Sequence, residues 1–118
     1  MDLFESIQGR WHVTRGYRSG TPIESPKIQL VFRTNQLELF EAGALVDRRD
    51  VVSKDPRFSW EFMALPTGDS GTAEAFRLLI VLGGDELRLC YGEPGGPPAT
   101  NFWSSPENRA TLIYCSRE

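Results

Sequence analysis

From Gly9 almost to the end of the chain, apolar and polar residues alternate with a period of two. The alternation is clearest over residues 28–32, 57–62 and 74–78. Successive side chains of a β-strand point to opposite faces, so this pattern is typical of strands with one buried face. No other feature of the sequence restricts the fold as strongly, and it predicts an all-β protein.

Eight segments with this pattern are separated by short turn sequences. They span residues 10–18, 27–33, 36–41, 44–53, 57–64, 74–82, 86–91 and 109–117. The stretches between them are rich in Gly, Pro, Asn and Asp, which favour turns. Short strands with short connections favour antiparallel neighbours, and closure into a barrel removes the exposed edges of an open sheet. We therefore expect about eight strands in an antiparallel up-and-down barrel.

A short helical segment is predicted only at the N-terminus, over residues 1–8. Asp2 and Glu5 have the spacing of a capping box, and Leu3, Phe4 and Ile7 give the segment an apolar side. The 118 residues contain no linker and no internal repeat. We expect one domain over residues 1–118, with the helical segment as a cap.

Composition argues against several classes of partner. The net charge of −3 provides no basic surface for nucleic acid or acidic membranes. The longest apolar run, residues 78–82, has the length of a strand and is too short to span a bilayer. The first residues lack the basic start and the long apolar stretch of a signal peptide. We expect a cytoplasmic protein, unless a leader has been removed.

Gly9, Arg10 and Trp11 resemble the Gly-x-Trp signature on the first strand of lipocalin and calycin barrels. The resemblance implies that Trp11 packs across the closed end of the barrel. It also implies that an arginine near the end of the last strand covers the indole ring. Arg117 is the matching position and Arg109 is the alternative. A guanidinium over an indole gains cation–π attraction and can also hydrogen-bond backbone carbonyls.

A second set of motifs is similar to a family of bacterial lipocalin-like domains. The matching segments are residues 7–11 (Ile-Gln-Gly-Arg-Trp), 84–91 (Gly-Asp-Glu-Leu-Arg-Leu-Cys-Tyr) and 94–96 (Pro-Gly-Gly). Residues 98–102 lack the arginine that follows the Pro-Gly loop in that family, and residues 44–73 match only in pattern. The family implies a fold and brings no established activity or catalytic residues.

Groups suited to catalysis or metal binding are sparse. His12 is the only histidine, and because it follows Trp11 on a strand it should point away from the interior. Cys90 and Cys115 are too few and too far apart for a zinc site, and a disulfide would need the strand register to bring them together. Glu93 does not favour a reactive thiolate at Cys90. We expect no enzyme activity, no cofactor and no metal.

An aromatic stripe, Phe58, Trp60 and Phe62, lies on one face of one predicted strand. Period-two spacing is compatible with a structural and a functional interpretation. The stripe is either part of a filled barrel interior or a functional surface. A functional surface would be one wall of a ligand cavity that Phe76 and Tyr91 also line, or an exposed contact surface.

The inward positions of the predicted barrel, Val51 among them, hold mostly large apolar residues. An eight-stranded barrel is wide enough either to be filled by side chains or to hold one small ligand, and interiors resist voids. We therefore expect a mostly packed core with at most a small cavity. Residues 47–50 (Asp-Arg-Arg-Asp) are predicted to form a solvated strand face, and no polar anchor for a ligand is identified inside.

Phe102 and Trp103 lie in the long connection before the last strand. Two aromatic residues in a surface connection predict either an anchor for a partner or a flap packed over one end of the barrel. The sequence as a whole favours a non-catalytic binding module that contacts another protein. The alternative is a carrier that holds a small apolar molecule inside the barrel.

Overall fold

The computed structural model describes residues 3–23, 27–53, 61–66, 76–92 and 97–118. Its strands are β1 (Gly9–Arg18), β2 (Thr21–Pro22), β3 (Ile28–Arg33), β4 (Gln36–Glu41), β5 (Ala44–Ser53), β6 (Glu61–Pro66), β7 (Phe76–Gly83), β8 (Glu86–Tyr91) and β9 (Thr111–Arg117). Each strand pairs antiparallel with the next in the order β1-β3-β4-β5-β6-β7-β8-β9, and β9 pairs with β1. The predicted all-β, antiparallel barrel of eight strands is confirmed, with β2 as a short addition to the end of β1.

The strand boundaries agree closely with the alternation in the sequence. The last strand starts at Thr111 and not at residue 109, because Arg109 has a φ of 52°, which no extended strand residue adopts. The predicted starts of β6, residues 57–60, and of β7, residues 74–75, lie outside the described residues.

One turn of helix, α1 (Leu3–Ser6), precedes β1. Met1 and Asp2 lie outside the described residues, so the longer helical segment over residues 1–8 stays a prediction. Within the described ranges, no helix is long and apolar enough to cross a membrane.

Trp11 closes one end of the barrel. It is fully buried, and its indole Nε1 donates a hydrogen bond to the backbone oxygen of Ile7 at 2.9 Å. The guanidinium of Arg117 covers the ring and donates to the backbone oxygens of Ser6 and Gln8 at 2.7 and 2.8 Å. Gly9 has a φ of +112°, which L side chains rarely adopt, so a glycine suits the entry to β1. The contact that the resemblance implied between Trp11 and Arg117 is therefore present.

The inner face of the barrel carries the main core. Its buried members are Ile7, Trp11, Val13, Leu30, Phe32, Leu37, Val51, Phe62, Ala64, Leu78, Ile80, Leu87, Leu89, Ile113 and Cys115. Within β7, β8 and β9 these positions alternate with residues of a second cluster, which lies on the outer face because successive strand residues point to opposite sides.

This outer cluster consists of Leu79, Cys90, Ala99, Ala110 and Leu112, with Tyr17, Phe102 and Tyr114 packed against it. Residues 97–110, which we call the strap, cross it from outside on the way to β9. Asn108 fixes the last turn of the strap, because its Oδ1 accepts hydrogen bonds from the backbone N–H groups of Ser105 and Ala110 at 2.9 Å each. A Cβ at Gly92 would collide with the carbonyl oxygen of Pro97, so glycine is needed where the strap approaches the end of β8.

Candidate ligand-binding cavity

A cavity of about 140 Å³ lies inside the barrel. It is lined by six aliphatic side chains and three polar ones, namely Leu30, Leu37, Leu39, Leu78, Leu89, Ile113, Asp47, Arg49 and Tyr91. Tyr91 pairs with Thr111 at one end of β9, whereas Trp11 pairs with Arg117 at the other, so the polar lining lies toward the barrel end opposite Trp11. An engineered protein cavity of about 150 Å³ holds one benzene molecule, so this space suits a ligand of similar size.

Arg49 and Asp47 reach the interior because β5 alternates. The register pairs Arg49 with Leu37 and Asp47 with Leu39, and both leucines line the cavity. Arg49 is only 8% exposed, and its Nε lies 3.1 and 3.3 Å from the two carboxylate oxygens of Asp47. The prediction that residues 47–50 form a solvated face is therefore wrong for Arg49.

Arg48, the next residue along β5, lies on the outer face. Its Nη2 and Nε contact Oε2 of Glu38 at 2.7 and 3.1 Å. Arg33 contacts the other oxygen of Glu38 at 3.2 Å, so two arginines cover this carboxylate. Arg48 and Arg49 therefore have the same chemistry on opposite sides of the barrel wall.

Tyr91 contributes a hydroxyl group at the polar end of the cavity. Burial raises the pKa of the phenol, while hydrogen bonds from Arg18 and Thr111 to the hydroxyl lower the pKa in part. Because the net shift is upward, Tyr91 is protonated at neutral pH and can donate a hydrogen bond.

Of the five residues predicted to line a ligand cavity, Tyr91 lines it and Phe62 is buried in the inner core. Phe58 and Trp60 lie outside the described residues, as does the side chain of Phe76. No polar anchor for a ligand was identified in the interior from the sequence, whereas Arg49 is a buried polar side chain that lines the cavity. A signal for it was present in the sequence, since Val51 was assigned an inward position and strict alternation places residue 49 on the same face.

Phe102 and Trp103 differ in their surroundings. Phe102 is half-buried against the outer cluster, whereas Trp103 is 63% exposed. The strap therefore packs on the outer face of β7–β9. This differs from the flap interpretation, which placed Phe102 and Trp103 over one end of the barrel. Phe102 thus has a packing contact, and the role of Trp103 as an anchor for a partner stays a prediction.

The two cysteines lie on adjacent strands and face opposite sides of the wall. Cys90 is opposite Leu112 in the register and belongs to the outer cluster, whereas Cys115 is opposite Leu87 and belongs to the inner core. The register therefore does not bring them together, and both are free thiols. Burial raises the pKa of the Cys90 thiol and raises that of Cys115 to about 12, so neither forms a thiolate readily.

His12 is exposed, as its position next to Trp11 predicted. Among the residues that the structure describes, no three His, Cys, Asp or Glu side chains group as a metal site would require. The expectation that the protein is not an enzyme stays a prediction.

No protein-family model, curated protein or solved structure matches the chain. The structure defines the protein by its fold, a closed antiparallel β-barrel of eight strands. The lipocalin-like character stays a resemblance carried by motifs.

Proposed function

We propose that the protein is a lipocalin-like binding module without catalytic activity, capped by its N-terminal helical segment, and that it carries a small apolar molecule inside the barrel. The observation that carries this proposal is the interior cavity of about 140 Å³. The sequence favoured a contact with another protein over a carrier. A cavity with mainly aliphatic walls and a few polar groups is the usual form of a small-molecule site, and it favours the carrier.

Two features of the barrel support a carrier. Trp11 and Arg117 close one end, so a ligand approaches from the end where Tyr91 and Arg18 lie. The lining is mainly aliphatic, so a small ring or branched chain is more favourable in this space than water is. A ligand of this size is expected to bind with a millimolar to micromolar Kd, or about 4–8 kcal/mol.

The proposal is tested with toluene as a neutral probe. Binding to the native state raises the melting temperature by mass action, so wild-type protein saturated with toluene should melt at a higher temperature than the free protein. Leu37→Phe places a larger side chain in the cavity wall and should abolish the increase.

Val81→Phe is the matched control, because Val81 is 38% exposed on the outer side of β7. It should keep the response to toluene. A wild-type protein that gives no thermal shift and no heat of binding with toluene would contradict the carrier.

A second function is favoured by Trp103. A tryptophan that is 63% exposed on a structured strap has the character of an anchor for a protein partner. This contact lies outside the barrel. It is therefore compatible with a carrier that a protein partner recognises in its ligand-bound form.

A further inference from the structure

Arg49 is an unexpected residue for the wall of an aliphatic cavity. Its guanidinium is withdrawn from water among leucines, and removing a charge from water is unfavourable unless the charge is paired and hydrogen-bonded. A buried ion pair is often no more stabilising than a well-packed apolar residue of similar volume. Stability of the barrel alone therefore does not account for an arginine at this position.

Asp47, a carboxylate that Arg49 contacts, is less buried than Arg49 itself. The side chain of Asp47 is 41% exposed, whereas that of Arg49 is 10% exposed. Asp47 is also held by the backbone N–H of Arg48, which donates to Oδ1 at 2.9 Å. An incoming acid group can therefore take the place of the Asp47 carboxylate beside the guanidinium, because Asp47 retains access to water.

The polar end of the cavity contains guanidinium and phenol groups. Arg18 bonds the hydroxyl of Tyr91, and Arg49 lines the same cavity as Tyr91, together with Asp47. The protonated phenol adds a neutral donor. Guanidinium and phenol groups at the end of an apolar cavity are complementary to a planar carboxylate with an apolar body.

We propose that the ligand of the barrel is a small organic acid, whose carboxylate binds Arg49 and whose apolar body, about the size of a benzene ring, fills the leucine-lined space. This inference rests on the proposed carrier function and names its ligand class. Benzoate is a suitable probe of this class, since its ring matches the cavity and its acid group is ionised at neutral pH.

The test compares three probes of nearly identical shape on the wild-type protein: benzoate, benzyl alcohol and benzylamine. Isothermal titration calorimetry gives a Kd for each. We expect benzoate to bind about tenfold more tightly than benzyl alcohol or better, the usual gain from a charge-assisted hydrogen bond, and benzylamine to bind most weakly. This comparison needs no variant, so it does not depend on the folding of one.

Arg49→Gln and Arg48→Gln form a matched pair. Both remove one arginine from β5, but Arg49 lines the cavity and Arg48 lies on the outer face with Glu38. Arg49→Gln should reduce the preference for benzoate over benzyl alcohol to about twofold or less, and Arg48→Gln should leave it unchanged. Arg49→Lys keeps the charge without the planar guanidinium and should retain part of the preference.

A direct readout is the NMR resonance of the arginine Nε–H groups. Saturating benzoate should shift the Arg49 signal and leave that of Arg48 in place. If benzyl alcohol binds and benzoate binds equally or more weakly, the acid class is wrong while the carrier stands. If none of the three probes nor toluene binds, the carrier itself is wrong, and the acid class falls with it.

Discussion

The guanidinium carbon of Arg117 lies 4.2 Å from the centre of the Trp11 ring, which connects the end of β9 to the start of β1 at the closed end of the barrel. The same guanidinium donates to the backbone oxygens of Ser6 and Gln8. One side chain thus covers the tryptophan and ties the N-terminal segment to the last strand.

Trp11→Ala should lower the free energy of unfolding by about 3–5 kcal/mol, because it removes a large, fully buried aromatic side chain. Arg117→Ala should have a smaller effect. Since the two side chains touch, the double variant should differ from the sum of the single ones by about 0.5–3 kcal/mol. Urea unfolding of the four proteins measures this coupling.

Arg10→Ala is the control for that cycle, because Arg10 is an exposed arginine on the same strand. It should change the stability by no more than about 0.5 kcal/mol and add to Trp11→Ala without coupling. Strict additivity between Trp11→Ala and Arg117→Ala would show that the ring contact contributes nothing.

The thiols of Cys90 and Cys115 should differ in their reaction with Ellman's reagent at pH 8. Cys90 is covered from outside by the strap, with its Sγ 3.7 Å from the Trp103 carbonyl oxygen, whereas Cys115 lies inside the barrel. Opening of the strap exposes only Cys90, so Cys90 should react faster than Cys115 in the native protein. The variants Cys90→Ser and Cys115→Ala assign the two phases, and equal native rates would contradict this arrangement.

Cys115 also predicts a pH dependence of stability. Its pKa rises from an ordinary value of 9.0 to about 12 on folding, chiefly through burial. The folded state therefore favours the protonated thiol: this contribution is complete below about pH 9 and is lost as the pH rises toward 12. Within that window the wild type should lose about 1.4 kcal/mol per pH unit more than Cys115→Ala, which has no thiol. Parallel pH profiles for the two proteins would contradict the prediction.

Substitutions of Phe102 and Trp103 should have different effects on the stability of the protein and on its association with a partner. Phe102→Ala should lower the free energy of unfolding by about 2 kcal/mol, part of the loss for a fully buried phenylalanine, because its ring packs on the outer cluster. Trp103→Ala should change it by no more than about 0.5 kcal/mol, since the side chain is mainly exposed. If Trp103 anchors a partner, Trp103→Ala should weaken that association by about 2 kcal/mol or more. A large loss of stability with unchanged association would remove Trp103 as an anchor.

The sequence predicted the barrel because alternation is a local property. Each strand needs only its own apolar positions to define an inner face, and the turns between the strands are short. The position of Arg117 over Trp11 followed from a motif resemblance, since residues at the two ends of the chain carry no local signal for each other.

The polar end of the cavity could not be predicted in the same way. Charged residues are normally solvated, so residues 47–50 were expected to face the solvent. This expectation was followed although the alternation places Arg49 on the same face as Val51. The strap was not predictable either, because its course over the outer face depends on contacts of Phe102 and Ala99 with residues of three strands. Such contacts follow from tertiary packing and leave no periodic pattern.

Methyl-labelled NMR tests most directly whether a small molecule binds inside the barrel. In the complex with toluene, intermolecular nuclear Overhauser effects should connect the ring protons to the methyl groups of Leu30, Leu89 and Ile113, which line the cavity. The methyl groups of Val81, on the outer face of β7, should show none. Contacts to Val81 or the strap without contacts to the inner leucines would place the ligand outside and contradict the account.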